Sequence, residues 1–256
     1  MPVSTISCAS FQDVSWLHWA DCSYDDEIAI FRFPLVEGMI MPFHLKSVLQ
    51  PDEIHRSQRY YREEDRQRFL YTRSILRVLS GSYTNQAPEQ IRFTTGMNKK
   101  PELVGDSGWR INVSHSGKWI LLTIGKVSVG IDVEKNDPKF SFRDMLSTSF
   151  SRGEQDYIEA GVDAQLRFYQ LWTRKEALIK ATGKGMDDDF WQVPSLDGSS
   201  VTDSGLIGEA GSWIVSSFFV ATDYHAAIAY RATQEIPKFY TLDSGLFSHR
   251  ESQERT

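Results

Sequence analysis

The chain has 256 residues, 41% hydrophobic and 24% charged, enough to bury one large core or two small ones. With 28 basic against 34 acidic residues the formal charge is −6, which argues against nucleic-acid binding by bulk electrostatics and requires any anionic ligand to meet a local basic patch. Cys8 and Cys22 make neither a disulfide framework nor a zinc site, the N-terminus lacks a basic head and apolar run, and no stretch reaches membrane-span length, so a soluble protein of a reducing cytosol is expected.

Residues 1 to 50 carry no motif. Pro51-Asp52-Glu53 opens a predicted helix that continues through Arg62-Glu63-Glu64-Asp65 to Leu79, with Phe69 and Leu76 on one face and Gly81 as its stop. A turn between Gly96 and Pro101 follows, then strand-like segments at 109–113 and 119–124, closed by Gly125, that predict a hairpin. From Val127 to Glu134 the residues alternate strictly: Val127, Val129, Ile131 and Val133 form a buried face, while Ser128, Gly130, Asp132 and Glu134 form an open one. Asn136-Asp137-Pro138 ends that strand, and Phe140 and Phe142 in the next loop have the look of exposed residues. Ser151 and Glu154 have the spacing of a capping box. A second long helix is predicted from about 164 to 181, ending at Gly183, with Trp172, Glu176 and Lys180 along one stripe. Segments 213–222 and 224–230 predict a second hairpin, and 248–256 reads as a polar tail.

Three of these segments carry chemistry. Asp132 and Glu134 share a strand face at about 7 Å, a spacing suited to one cation, and Gly130 on that face offers room for a bulky ligand. Taken alone, such a pair is an ordinary solvated strand face. Glu176 and Lys180, taken alone, are an i,i+4 helix ion pair worth a few tenths of a kcal/mol. His115, in a turn rich in donors at the end of a strand, suits an oxyanion as well as it suits solvent.

In order and together, these segments read Asn112-Val113-Ser114-His115-Ser116, then Gly130-Ile131-Asp132-Val133-Glu134-Lys135, then Trp172-Thr173-Arg174-Lys175-Glu176-Ala177 with Lys180 and Gly183-Lys184-Gly185. This joint pattern closely resembles the Sfp-type 4′-phosphopantetheinyl transferases, over roughly residues 51 to 230. The resemblance implies an α/β fold of the α+β type, with two similar halves related by a pseudo-twofold axis, each a small antiparallel sheet with a long helix. It places the N-terminal half at 1–125, the C-terminal half at 126–245 and a tail at 246–256. It also implies an enzyme that moves 4′-phosphopantetheine from coenzyme A to a serine of an apo carrier protein, releasing 3′,5′-ADP, in a Mg²⁺-dependent reaction. A chain holding both halves is expected to work as a monomer, without nucleic-acid or membrane partners.

Carried over residue by residue, the resemblance makes Asp132, Glu134 and Glu176 the metal ligands. It makes Arg56, Lys100, Ser114, His115, Asp132, Lys175 and Lys180 the coenzyme A contacts, with His115 and Lys180 at the pyrophosphate. Arg56, Lys100 and Ser114 would surround the adenosine and its 3′-phosphate. Lys180 would neutralise the leaving phosphate, and the serine proton would pass to Glu176, to Glu154 or to a water on the metal. A capping-box role accounts for Glu154 equally well. Glu53 and Phe69 depart from the family pattern near the 3′-phosphate, while Arg59, Arg62, Arg66, Arg73 and Arg77 offer further positive charge. Phe140, Phe142 and Met145 are the candidate carrier-docking surface. Two other readings retain the same residues: a metal-dependent phosphohydrolase attacking with water, and a non-catalytic module that binds coenzyme A or carrier proteins.

Overall fold

The computed structural model describes residues 2–36, 38–96, 98, 100–105 and 107–247. In chain order the strands are β1 (Val3–Ser10), β2 (Trp16–His18), β3 (Ile28–Pro34), β4 (Phe93–Thr95), β5 (Pro101–Leu103), β6 (Arg110–Ser116), β7 (Trp119–Gly125), β8 (Val129–Lys135), β9 (Gly198–Asp203), β10 (Gly211–Ala221), β11 (Tyr224–Arg231) and β12 (Lys238–Thr241). The helices are α1 (Phe43–Ser47), α2 (Pro51–Ser57), α3 (Glu63–Thr84), α4 (Arg143–Ser149), α5 (Arg152–Glu159), α6 (Ala164–Thr182) and α7 (Ser204–Ile207). Among the described residues no helix is long and apolar enough to cross a membrane.

Strand pairing gives two five-stranded sheets, β8-β11-β10-β1-β9 and β2-β12-β3-β7-β6, with β4-β5 as a separate ribbon. Each sheet is built on the same unit, a strand, a long helix and a hairpin, in which the first strand pairs antiparallel with the last. In one unit β3 leads through α3 to the β6-β7 hairpin and pairs with β7. In the other β8 leads through α6 to the β10-β11 hairpin and pairs with β11. This is the expected α/β architecture of two related halves.

Alternation along the strands sorts their side chains into layers. On β3, Ala29, Phe31 and Phe33 pack with Tyr71, Ile75 and Leu79 of α3. The intervening Ile28 and Ile30 face the other way and join Ile131, Val133, Phe218 and Ile228 of the β8-β11-β10 sheet. Ala177, Leu178 and Ala181 of α6 cover the far side of that sheet, against Ile6, Trp213 and Ala227. The two sheets therefore share one apolar interior, with a long helix outside each.

Several expectations need correction. The sheets are mixed, because β1 runs parallel to β10 and β12 runs parallel to both β2 and β3. The first strand thus belongs to the sheet of the C-terminal half and the last to that of the N-terminal half, so a division at 125 does not describe the sheets. The predicted helix from 51 to 79 is two helices: Arg62 is extended, and Glu63, Glu64 and Asp65 form the first turn of α3, where acidic side chains complement the helix dipole. Gly81 lies inside α3, where a side chain would strike the Gln86 carbonyl, and the stop is Asn85 in the left-handed conformation. The polar tail beyond 247 lies outside the described residues.

Candidate active site

The N-x-S-x-S pattern of β6 lies beside β8, where the two sheets meet edge to edge. Asn112 Oδ1 accepts the Ile131 backbone N–H at 2.9 Å, and Ser116 Oγ accepts that of Lys135 at 3.0 Å. Both bonds have the same offset along the chain, so side chains substitute for a backbone ladder between strands running the same way. The same row reaches the carboxylates: Ser114 Oγ donates to Asp132 Oδ1 at 2.9 Å, and Ser116 Oγ to Glu134 Oε2 at 3.0 Å. His115 belongs to this strand rather than to a turn, which begins at Gly117 with φ 51°.

The face of β8 expected to be open is covered by α6. Gly130 is buried, and a Cβ there would collide with the Ala177 carbonyl and the Ala181 nitrogen. Its missing side chain therefore makes room for the helix and not for a ligand. That close approach brings Lys180 Nζ to 2.5 Å from Asp132 Oδ1, 3.4 Å from Ser114 Oγ and 3.8 Å from Glu176 Oε2. Val113, Ser114, His115, Asp132, Glu134, Trp172, Glu176 and Lys180 line a cavity of about 300 Å³.

The electrostatics of this cavity follow from crowding carboxylates out of water. Burial, reinforced by the neighbouring Asp132, pushes Glu134 up to about 7. Burial also raises Glu176, with Asp132 adding to the effect and Lys180 opposing it. Lys180 is held above the usual lysine range because Asp132 and Glu176 outweigh the cost of its burial. His115 is pushed down by partial desolvation and by the cations of Arg68 and Lys180. Asp132 Oδ2 is buried without a hydrogen-bond partner among the described residues.

Of the sequence-predicted residues, Asp132, Glu134, Glu176, Lys180, Ser114 and His115 come together here. Glu154 and Lys175 do not: they form a buried ion pair at 2.9 Å away from the cavity lining, with Glu154 also accepting from Ser195 Oγ and from the Ser151 N–H of its capping box. Lys175 faces the core because it lies on a different side of α6 from the 172-176-180 stripe. Lys100 donates to the carbonyls of Val129, Lys180 and Ala181, tying the β4-β5 turn to the start of β8 and the end of α6, and burial lowers it to about 8. Asn98 of that turn donates to Gly183 O at 2.8 Å, so the Gly183-Lys184-Gly185 motif receives the turn.

Arg56 is exposed on α2, 5.2 Å from the Phe69 ring, outside the cavity lining. Glu53 accepts from Arg73 and Arg77, each at 2.8 Å, so these two arginines are not spare charge. Phe142 is buried and Met145 half-buried, and only Phe140 of the expected docking surface is exposed. Sequence reasoning missed Ser116 as a carboxylate partner and Arg68, which donates to Gly117 O next to His115. The facing period-two patterns 112-114-116 and 130-132-134 were the available signal for the first.

Comparison with known proteins agrees with this geometry. Residues 128–229 match the model of the 4′-phosphopantetheinyl transferase superfamily, and residues 43–126 match that of the 4′-phosphopantetheinyl transferase N-terminal region. The transferase HetI of Nostoc sp. is 33% identical over 168 residues, which cover 63% of this chain and 70% of HetI. The chain belongs to the 4′-phosphopantetheinyl transferase superfamily. A Synechocystis sp. protein, slr0495, provisionally named as such a transferase, is 37% identical over 62% of this chain and 65% of its own. The transferase Sfp of Bacillus subtilis is 31% identical over 55% of this chain and 62% of Sfp. The chain thus spans between 62% and 70% of the length of these three relatives. The matched family regions contain every residue that lines the cavity.

Proposed function

We propose that this chain transfers 4′-phosphopantetheine from coenzyme A to the serine hydroxyl of an apo carrier protein and releases 3′,5′-ADP. The observation that carries the reading is the convergence of three carboxylates, Lys180, Ser114 and His115 on one cavity in a chain of this superfamily.

The cavity residues fit Mg²⁺. Three carboxylates with one ammonium among them leave excess negative charge, and Asp132 Oδ2 has no partner among the described residues. Among the described residues no group of three His, Cys, Asp or Glu is arranged to enclose a metal by itself. Mg²⁺ commonly takes one or two carboxylates and completes its shell with water and substrate phosphates, so an open set suits joint binding with a pyrophosphate. Asp132, Glu134 and Glu176 would hold the ion, which when bound would offset the charge of the pyrophosphate. Ser114 and Ser116 keep Asp132 and Glu134 oriented by donating to them. Lys180 exchanges part of its contact with Asp132 for the phosphate that leaves, and His115 at the rim donates to a neighbouring phosphate oxygen. Glu176 accepts the serine proton as the serine oxygen bonds to the phosphorus next to pantetheine and the bond to 3′,5′-ADP breaks. The buried Glu154–Lys175 pair supports α6 and takes no part in proton transfer.

Both halves are present in one chain, which supports a monomer, and the two buried free cysteines accord with a reducing cytosol. Phe140, exposed beyond the end of β8, is the remaining anchor for carrier docking.

Intact-mass analysis of an apo carrier protein with coenzyme A, Mg²⁺ and this chain tests the proposal. A phosphopantetheine adduct on the carrier serine is expected, slowed by about 100-fold or more in Glu176→Ala and abolished by a chelator. A diverse panel of apo carriers left unmodified would overturn it, and release of 3′,5′-ADP without an acceptor would favour hydrolysis instead.

A further inference from the structure

A second cavity, of about 330 Å³, opens where α1 and α2 pack on α3. It lies apart from the carboxylates. Arg66, Gln67 and Leu70 of α3 line it, whereas Arg68, which points to the Gly117 carbonyl beside His115, lies about 200° around the helix from Arg66.

Its wall is apolar, formed by Ile40, Met41, Leu49, Ile54 and Leu70. The mouth is cationic, although the chain as a whole is net negative. Lys46 is exposed at the edge and has no acidic partner among the described residues. Arg66 pairs with Glu63 through one terminal nitrogen, while its Nε and the Oε1 of Gln67 are buried without a hydrogen-bond partner among the described residues. Buried donors and acceptors are normally satisfied, so the Nε–H of Arg66 marks an acceptor that the protein does not itself supply, while the Oε1 of Gln67 calls for a donor, which water can provide. At the same mouth Ile40 is 88% exposed, an apolar side chain left in water beside an apolar wall.

We propose that this cavity binds a small amphiphilic carboxylate, an aliphatic chain carrying one acid group. The chain lies against Ile40, Leu49, Ile54 and Leu70, and the carboxylate meets Lys46 and the Nε of Arg66. The volume falls at the lower end of small-molecule sites, roughly 300 to 1,000 Å³, which suits a medium-length chain. Charge decides the occupant: one unpaired ammonium and one unpaired guanidinium N–H favour an anion over a neutral or cationic head of the same length.

Calorimetric titration of the full chain with sodium octanoate, octanol and octylamine tests the proposal. Saturable binding of octanoate at one site is expected, with octylamine at least about tenfold weaker. Lys46→Glu should weaken octanoate about tenfold, and Gln58→Trp, at an exposed position on the lining, should block it by filling the cavity. Both variants should still modify an apo carrier, which separates this site from the transfer machinery. Absence of saturable octanoate binding, octanol or octylamine binding as tightly as octanoate, or unchanged octanoate affinity in Lys46→Glu would each overturn it.

Discussion

His225 sits directly across the ladder from Glu134, on the α6 side of the β8-β11 sheet. Its ring lies 4.6 Å from Phe219 and 6.2 Å from Tyr169, and its Nε2 is buried without a partner among the described residues. Burial holds the imidazole down to about 4, the mirror of what burial does to Glu134. Both groups favour their neutral forms for the same reason: each would carry its charge out of water. For the histidine the sign follows from proton counting. Between the ordinary histidine range and about 4 the unfolded chain binds a proton at this position and the folded chain does not, so stability falls as pH drops through that window. The loss between pH 7 and pH 5 should be about 2 kcal/mol. His225→Phe retains the aromatic stacking and should remove that part of the acid sensitivity. Urea unfolding of both proteins at the two pH values checks this, and equal losses would count against it.

Helix α6 and strand β8 work as a pair because nothing separates them at Gly130. The glycine lets the helix backbone press against the strand, and this contact brings the 176-180 stripe to Asp132. Lys100 and Asn98 then fasten the end of the same helix from the β4-β5 turn, so the 176-180 stripe is gripped from both halves. Gly130→Ala would drive its methyl into α6 and push the helix outward. Overpacking of this kind costs about 1–3 kcal/mol. The expected result is a folded, less stable enzyme whose transfer rate falls more than the stability loss explains, because Lys180 retreats from Asp132. Chemical unfolding and carrier-modification rates together check it; normal rates would mean that the close packing does not set the site geometry.

At the scale of the molecule the two halves are interlocked. Strand β1 is hydrogen-bonded between β9 and β10, and β12 between β2 and β3. Asp26 secures the latter by accepting from Tyr240 OH at 2.6 Å and from Lys238 Nζ at 2.5 Å. Fragments 1–125 and 126–256 would each lack a strand of their own sheet and expose half of the shared apolar interior. Expressed alone, each should be unfolded or aggregated by circular dichroism and gel filtration, and activity should return only on co-expression. A folded, soluble single fragment would contradict the interlocking.

The sequence by itself determined the two hairpins, the existence of strand β8 but not the covering of its polar face, the capping box at Ser151 and the stripe on α6, because periodicity and end signals are local. It also marked Asp132, Glu134, Glu176 and Lys180, through their joint order along the chain. Only the tertiary structure decided what each neighbour is for. Ser114 and Ser116 orient carboxylates, Gly130 admits a helix, Lys100 clamps carbonyls, and Glu154 and Lys175 pair in the core. Those roles depend on which elements the chain brings together across long separations, and a residue's type and spacing carry no record of its eventual partner.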